Sequence, residues 1–177
     1  MVGLPGAGKT VWARELAAEH GALLMSPDPW MLALFGQVQP EGKRDVVEGR
    51  LIGLAMQALR LRLGVVLDFG LWGRDERSAL RWIAASLGAN CQVVYMPVER
   101  DEQLARVRTR WERTPEQTFP ITEAELDAWR AQFEVPDADE LSGTALPDPP
   151  AGDASWFDWA ARRWPSLRQS VAEGPGS

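Results

Sequence analysis

The sequence contains one cysteine, one histidine and no apolar run long enough to form a membrane helix. Cys91 has no second thiol with which to form an internal disulfide, and this suits a reducing compartment. One cysteine and one histidine also leave no cluster of the ligands that zinc prefers. A membrane helix needs about 20 consecutive apolar residues, and the first residues show no basic segment followed by an apolar core. We therefore expect a cytoplasmic protein without a membrane partner.

Positive charge is also in deficit, since 19 basic side chains face 25 acidic ones and the net charge is −6. This balance argues against wholesale binding of nucleic acid, although it leaves room for a local basic groove. The chain of 177 residues is long enough for one domain with its own core. Nine tryptophans accompany a single tyrosine, and we expect most of them to pack in the core or between helices.

Short β-like runs alternate with longer helical patterns along the first three quarters of the chain. The runs lie at residues 22–25, 65–69 and 91–98, and the helical patterns at residues 9–19, 43–63, 75–87, 100–113 and 122–133. This alternation predicts an α/β domain with a parallel sheet. Residues 134–158 carry seven acidic side chains and no basic one, which favours a loop before a short helix at 156–164. The pattern predicts a single domain over residues 1–165 and a disordered tail over 166–177.

A glycine-rich loop at residues 3–10 matches the pattern G-x-x-x-x-G-K-[ST] in full. Glycines allow successive backbone N–H groups to converge on phosphate oxygens, and the following helix directs its positive end at the same anion. Lys9 would contact the β- and γ-phosphates, and the Thr10 hydroxyl would bind Mg²⁺. A chance glycine-rich turn is the alternative, but the helical pattern that follows directly favours a phosphate loop. The predicted nucleotide-binding residues are Gly3, Pro5, Gly6, Ala7, Gly8, Lys9 and Thr10, with ATP and Mg²⁺ as ligands.

Only Met1 and Val2 precede this loop. The strand that leads into a phosphate loop has about five residues. We therefore expect a first strand that is either short or begins upstream of Met1.

Aspartates follow two of the predicted strands. Asp68 ends the apolar run at residues 65–67, and a carboxylate at the carboxyl end of a parallel strand faces the ligand cleft. We expect Asp68 to hold Mg²⁺ directly or through water; a cap of the next turn is the alternative. Asp68-Phe69-Gly70 is similar to a protein-kinase triplet, but the rest of that signature is missing.

The glycine loop, Asp28 after the second strand, the Asp-ended third strand and an arginine-rich helix after the fourth resemble one branch of the P-loop kinases. That branch includes chloramphenicol phosphotransferase, zeta-toxin kinases and the kinase domain of polynucleotide kinases. The resemblance covers residues 1 to about 133. It implies a three-layer sandwich with a mostly parallel central sheet and a helical lid that bears arginines. It also implies that Asp28 is the general base for the acceptor hydroxyl. The alternative is that Asp28 caps a helix in which Pro29 is the first residue.

The predicted lid helix contains a cluster of five arginines: Arg100, Arg106, Arg108, Arg110 and Arg113. In the family such arginines clamp the triphosphate, and this implies catalytic roles for Arg106 and Arg110, four residues apart on one face. A solvated helix surface is the alternative. Arg74 and Arg77 follow the third strand and are candidates for contact with acceptor or phosphate.

The residues that follow Asp28 are apolar at positions 29–32. Polynucleotide-kinase members of the family often carry an arginine here that holds substrate phosphate. Its absence favours a less charged acceptor, with Trp30 as a pocket wall. The sequence thus predicts an ATP-dependent phosphotransferase that acts on a hydroxyl of a small molecule or nucleoside-like acceptor. The alternatives are a polynucleotide 5′-hydroxyl kinase and a nucleotide-binding ATPase switch that transfers phosphate only to water.

Overall fold

The computed structural model describes residues 1–144 and 146–172, which form a helix-rich α/β fold around a small parallel sheet. The strands are β1 (Leu23–Met25) and β2 (Val65–Leu67). A single 3₁₀ turn covers Pro115–Gln117. The α-helices are α1 (Lys9–His20), α2 (Pro27–Phe35), α3 (Lys43–Arg60), α4 (Arg74–Ser86), α5 (Arg100–Arg113), α6 (Glu123–Gln132), α7 (Ala138–Ser142), α8 (Trp156–Arg163) and α9 (Leu167–Ala172).

The sheet pairs β1 with β2 in parallel, with Leu23 opposite Val65. Val2 extends this arrangement through parallel bridges to Gly70 on one side and to Tyr95 on the other. The spatial order is therefore β1, the β2 segment, Val2 and the segment around Tyr95. The parallel α/β arrangement was predicted, but in the described residues the predicted strand at 91–98 is reduced to the bridge at Tyr95. The observed architecture is a small parallel sheet among many helices.

All six helices predicted from the sequence are present; α5 has both of its predicted ends, and the others differ at one end or both. The pattern at residues 43–63 forms α3, which ends at Arg60 because Arg62 takes a positive φ of 63°. The capping box predicted at Thr122 is confirmed: the amide of Glu125 donates to the Thr122 hydroxyl at 3.2 Å, and the Glu125 carboxylate accepts from the Thr122 amide at 2.7 Å. Local sequence signals therefore fix where these helices begin.

The core lies where α3, α4 and α8 meet the sheet. Trp156 and Trp164 are buried within it, as expected for large aromatic side chains. Trp12 and Trp30 are 46% and 51% exposed, so they are not among the tryptophans that pack in the core. Within the described residues, no helix is both long and apolar enough to cross a membrane.

The C-terminal part of the chain packs against the rest of the domain. α8 lies along α4, and α9 lies along α3. Leu167, the first residue of α9, has no exposed surface, and the Ser166 hydroxyl donates to the carbonyl of Val46. The expectation of disorder from residue 166 therefore does not hold for residues 166–172; residues 173–177 lie outside the described part. The sequence at 134–158 also contains the short helix α7, which was predicted as loop.

Candidate active site

The glycine loop takes a path that only glycine allows at its key positions. Gly3, Gly6 and Gly8 have φ values of 145°, 83° and 89°, in the region that favours glycine. A Cβ atom at Gly3 would lie 2.7 Å from the carbonyl oxygen of Met96, too close for a real contact. The loop thus requires glycine both for its backbone angles and for its close approach to the neighbouring segment.

Helix α5 braces the outer side of the loop. The side-chain amide of Gln103, which has no exposed surface, donates to the carbonyl of Pro5 at 2.9 Å. A Cβ atom at Gly6 would lie 3.2 Å from both the Gln103 carbonyl oxygen and a methyl group of Val107. The position of the loop is therefore tied to the helix that was predicted as the lid.

The start of α1 is open to an anion. The helix begins at Lys9 with Gly8 as its N-cap, and no side chain caps it. The N–H groups of a first helical turn have no partner within the helix, and together with the helix dipole they bind phosphate. The turn carries no acidic side chain that would compete for them. The loop and this helix end therefore fit a triphosphate.

Lys9 occupies the inner edge of the loop. Its ammonium group donates to the Leu4 carbonyl at 2.9 Å. Burial lowers the pKa of Lys9 to about 8, while the nearby charges of Asp68 and Asp28 act in the opposite direction. A half-buried cation that is only partly compensated is more stable with an anionic ligand beside it. The electrostatics of Lys9 therefore fit a bound phosphate.

Thr10 and Asp68 meet next to Lys9. The Thr10 hydroxyl donates to a carboxylate oxygen of Asp68 at 2.7 Å, and Asp68 is buried. The amide of Asp68 donates to the Met25 carbonyl at 2.8 Å, which places Asp68 directly beyond β2. A hydroxyl and a carboxylate are hard oxygen ligands of the kind that Mg²⁺ takes beside phosphate. This pair fits the magnesium site that the sequence predicts.

Asp28 lies inside the first turn of α2. The N-cap of that helix is Ser26 and its first residue is Pro27, so the alternative in which Asp28 is the cap is wrong. One carboxylate oxygen accepts from Arg44 at 2.8 Å. The other oxygen has no hydrogen-bond partner among the described residues, and the side chain is 53% exposed. Asp28 follows β1 as Asp68 follows β2, at the same edge of the parallel sheet, and its charge is among those that act on the pKa of Lys9. Asp28 therefore lies on the same side of the sheet as the Asp68 site.

Arg44, in the first turn of α3, is the site residue that the sequence did not indicate. Its guanidinium group bonds Asp28, and its Nε donates to Glu48 at 3.0 Å. No arginine follows Asp28 at positions 29–32, but α3 supplies one from 16 positions further along the chain. The available signal was the i,i+4 pair of Arg44 and Glu48, with Glu48 on the apolar face of the helix.

Two of the arginines on α5 lie near the glycine loop. Arg106 donates to the Gly6 carbonyl at 3.2 Å and also pairs with Glu102. The charge of Arg110 contributes to the lowered pKa of Lys9, and its side chain has no hydrogen-bond partner in the described part of the chain. Arg100 instead binds Asp127 and Glu123 of α6, and Arg108 also binds Glu123. Arg106 and Arg110 are thus placed beside the nucleotide site, and Arg100 joins two helices.

The three residues predicted to contact the acceptor, Trp30, Arg74 and Arg77, lie in three different environments. Trp30 is half exposed on α2, two residues from Asp28. Arg74 pairs with Asp137 at 2.9 Å. It lines a cavity of about 480 Å³ together with two tryptophans and several charged residues; Lys9, Thr10 and Asp28 do not line this cavity. Arg77 is only 1% exposed and pairs with Glu140, so the prediction that it contacts substrate is wrong.

The glycine loop at the start of a helix, its Lys9-Thr10 end and the carboxylate beyond β2 define a P-loop NTPase-like domain. The sequence model of the AAA domain family matches residues 1–136. The chain therefore belongs to this family, which includes both kinases and nucleotide-binding ATPases. No curated protein matches the chain in sequence.

Nucleotide binding should be accompanied by proton uptake at Lys9. In the free protein the pKa of Lys9 is about 8, so at about pH 8.5 much of the ammonium is neutral. The phosphates favour its charged form and raise this pKa, and the protein must then take up a proton. Calorimetric titration with Mg²⁺ and a non-hydrolysable ATP analogue, in two buffers of different ionisation enthalpy, measures that uptake.

At about pH 7 the same titration should show much less uptake, because Lys9 is already charged before the nucleotide binds. The matched variant Lys9→Arg stays charged at both pH values and should show no Lys9-linked uptake wherever it still binds. Equal proton uptake by the native protein at both pH values would contradict the assignment of this uptake to Lys9.

Proposed function

We propose that this protein is an ATP-dependent kinase that transfers the γ-phosphate to a hydroxyl group of a small molecule or nucleoside-like acceptor. The observation that carries the proposal is the Asp28 carboxylate, which is near enough to act on the charge of Lys9. One of its oxygens is held by Arg44 and the other has no partner among the described residues. A free carboxylate can orient either water or an alcohol hydroxyl; the half-exposed Trp30 on the same helix offers an apolar surface that supports an organic acceptor.

On the donor side, the loop amides and the first turn of α1 hold the triphosphate, with Lys9 on its terminal phosphates. When bound, Mg²⁺ would neutralise phosphate charge, with Thr10 and Asp68 as its protein ligands. Arg106 and Arg110 approach from α5 and would stabilise the charge that develops on the transferring group. These residues position the donor, and positioning with charge neutralisation is most of what phosphoryl transfer requires.

On the acceptor side, the free carboxylate oxygen of Asp28 accepts a hydrogen bond from the substrate hydroxyl and orients its oxygen toward the γ-phosphate. As the new O–P bond forms and the bond to ADP breaks, the hydroxyl proton passes to Asp28. Arg44 donates a hydrogen bond to the other oxygen, and this bond fixes the orientation of the Asp28 carboxylate.

The charges around Asp28 favour an acceptor without a phosphate of its own. Arg44 supplies one positive charge, and Asp28 and Glu48 supply two negative ones. The group of three is therefore not positive, and it offers little attraction to a further anion. Trp30, half exposed on the same helix, supports a partly apolar acceptor. For these reasons we place a small alcohol or nucleoside ahead of a polynucleotide 5′-end.

The test is ADP formation from ATP and Mg²⁺ across a panel of hydroxyl compounds: nucleosides, aminoglycosides, chloramphenicol-like alcohols, sugars and a 5′-hydroxyl oligonucleotide. We expect ADP release that depends on one class of small acceptor and disappears in the variant Lys9→Met. Dependence on the oligonucleotide would replace the small acceptor with nucleic acid. Release of ADP at the same rate with and without every acceptor would overturn the proposal in favour of an ATPase switch.

A further inference from the structure

We infer that Glu48 and Trp164 are positioning residues that hold Asp28 through Arg44, so that the C-terminal segment 146–172 completes the acceptor side of the site. The inference rests on the proposed function, because it takes Asp28 as the group that receives the acceptor proton. Trp164 lies outside the region 1–136 that matches the AAA domain family. This segment would therefore add a functional part to the family domain.

An unbroken chain of hydrogen bonds runs from Asp28 to the C-terminal segment. Asp28 accepts from Arg44 at 2.8 Å, and Arg44 donates through Nε to Glu48 at 3.0 Å. The second oxygen of Glu48 accepts from the indole Nε1 of Trp164, also at 3.0 Å. A single surface ion pair holds a long arginine side chain poorly, because the entropy of ordering it offsets the attraction. The second anchor at Glu48 removes that freedom from Arg44.

Glu48 is an unexpected residue for its position. It is buried on α3 beside Gly49, Leu51 and Ile52, where an apolar side chain would pack without a desolvation cost. Burial raises the pKa of Glu48, while Arg44, the Trp164 indole and Arg163 oppose that effect. Replacing a buried ion pair by apolar residues is often neutral or stabilising. Stability alone therefore does not explain a carboxylate here, whereas the orientation of Arg44 does.

The C-terminal segment grips the part of α3 that carries Arg44. Arg163 pairs with Asp45 at 2.6 Å, and the Ser166 hydroxyl donates to the Val46 carbonyl. Trp164, fully buried between these two contacts, reaches Glu48. Contact is close, since a Cβ atom at Gly49 would lie 3.2 Å from that of Trp164. Three successive contacts therefore fix the first two turns of α3.

The activity test is a double-mutant cycle on Arg44→Ala and Glu48→Gln, measured with the acceptor that the panel identifies. Glutamine has nearly the same shape as glutamate, but it has one acceptor oxygen and no charge with which to hold both Arg44 and Trp164. We expect kcat to fall roughly ten- to a hundredfold in Glu48→Gln, with the KM for ATP unchanged. In the Arg44→Ala background the same change should have no further effect. Trp164→Phe, which keeps an aromatic ring and removes the N–H donor, should act in the same direction as Glu48→Gln.

A second measurement does not depend on turnover. The indole N–H signal of Trp164 is identified in an NMR spectrum by its loss in Trp164→Phe. It should shift in Arg44→Ala and in Asp28→Asn, and it should stay in place in Arg14→Ala, which changes an exposed arginine of α1. If the Trp164 signal shifts in neither Arg44→Ala nor Asp28→Asn, the inference is overturned. This result does not require that an acceptor has been found among the hydroxyl compounds.

The outcomes separate the two proposals. Multiplicative losses of kcat in the cycle would overturn the positioning role and leave the kinase function intact. Full turnover in Asp28→Asn would instead remove Asp28 as the base and with it the acceptor-side proposal, whatever the NMR spectra show. Glu48→Asp keeps the carboxylate, so its kcat should fall less than that of Glu48→Gln. This difference, at unchanged thermal stability in both variants, would support the positioning role.

Discussion

Replacement of Asp28 by asparagine should lower acceptor-dependent phosphate transfer by roughly 100- to 10,000-fold, the range that general-base catalysis contributes. Asparagine keeps the size of the side chain and an oxygen for Arg44, but it cannot take the proton of the acceptor hydroxyl. Binding of Mg²⁺-ATP should change little, because the triphosphate site is built from the glycine loop, Lys9 and Thr10. Rates with the acceptor, together with nucleotide affinity from calorimetry, measure the two effects separately.

The matched control is Asp148→Asn, which makes the same chemical change at an exposed loop position. It should leave transfer unaltered. The ion pair of Asp28 is partly exposed, and its loss should cost at most about 1 kcal/mol of unfolding free energy, so the variant remains folded. Transfer at the native rate by a folded Asp28→Asn protein would remove Asp28 from its role. A parallel loss of nucleotide affinity would show that it acts on the donor instead.

The donor half of the site could be predicted from the sequence because it is local. Eight consecutive residues determine the loop path, and the glycines at positions 3, 6 and 8 take the positive φ values that the motif requires. The start of α1 and the capping box at Thr122 depend on neighbours within four positions. Short-range chemistry of this kind is readable without a structure.

The acceptor half could not be predicted in the same way, because its contacts join distant parts of the chain. Arg44 is 16 positions from Asp28, and Trp164 is 116 positions from Glu48. The residues directly after Asp28 are apolar, and the arginine that binds it comes from α3 instead. Glu48 is one of several charged residues in the sequence of α3, and its burial beside Trp164 is visible only in the structure.

The C-terminal segment shows the same limit for the fold. Residues 166–172 lack a strong helical pattern, and their sequence favoured a disordered tail. Their order comes from packing against α3: Leu167 has no exposed surface and belongs to the core cluster that contains Leu51 and Ile52. Tertiary burial thus supplies the stability that local propensity does not, as is usual for short helices.

Replacement of Arg77 by alanine should destabilise the protein by about 3–5 kcal/mol, the cost of breaking a buried ion pair by removing one partner. Arg77 holds both oxygens of Glu140, at 2.7 and 3.1 Å. It also donates to the carbonyls of Leu71 and Trp72 at 3.1 Å. The variant leaves the buried Glu140 carboxylate and the half-buried carbonyls of Leu71 and Trp72 without these donors. Urea unfolding followed by tryptophan fluorescence measures the loss.

The double variant Arg77→Met with Glu140→Leu separates the ion pair from the packing around it. It removes both charges together, so we expect it to recover a large part of the lost stability, as paired apolar replacements of buried ion pairs often do. Recovery should be incomplete, because the Leu71 carbonyl still lacks the donor that Arg77 supplied, whereas the Trp72 carbonyl keeps the Glu134 amide at 3.0 Å. The control Arg14→Ala, on the exposed side of α1, should change the unfolding free energy by no more than about 0.5 kcal/mol. If Arg77→Ala were as mild as this control, the pair would not be a determinant of the fold.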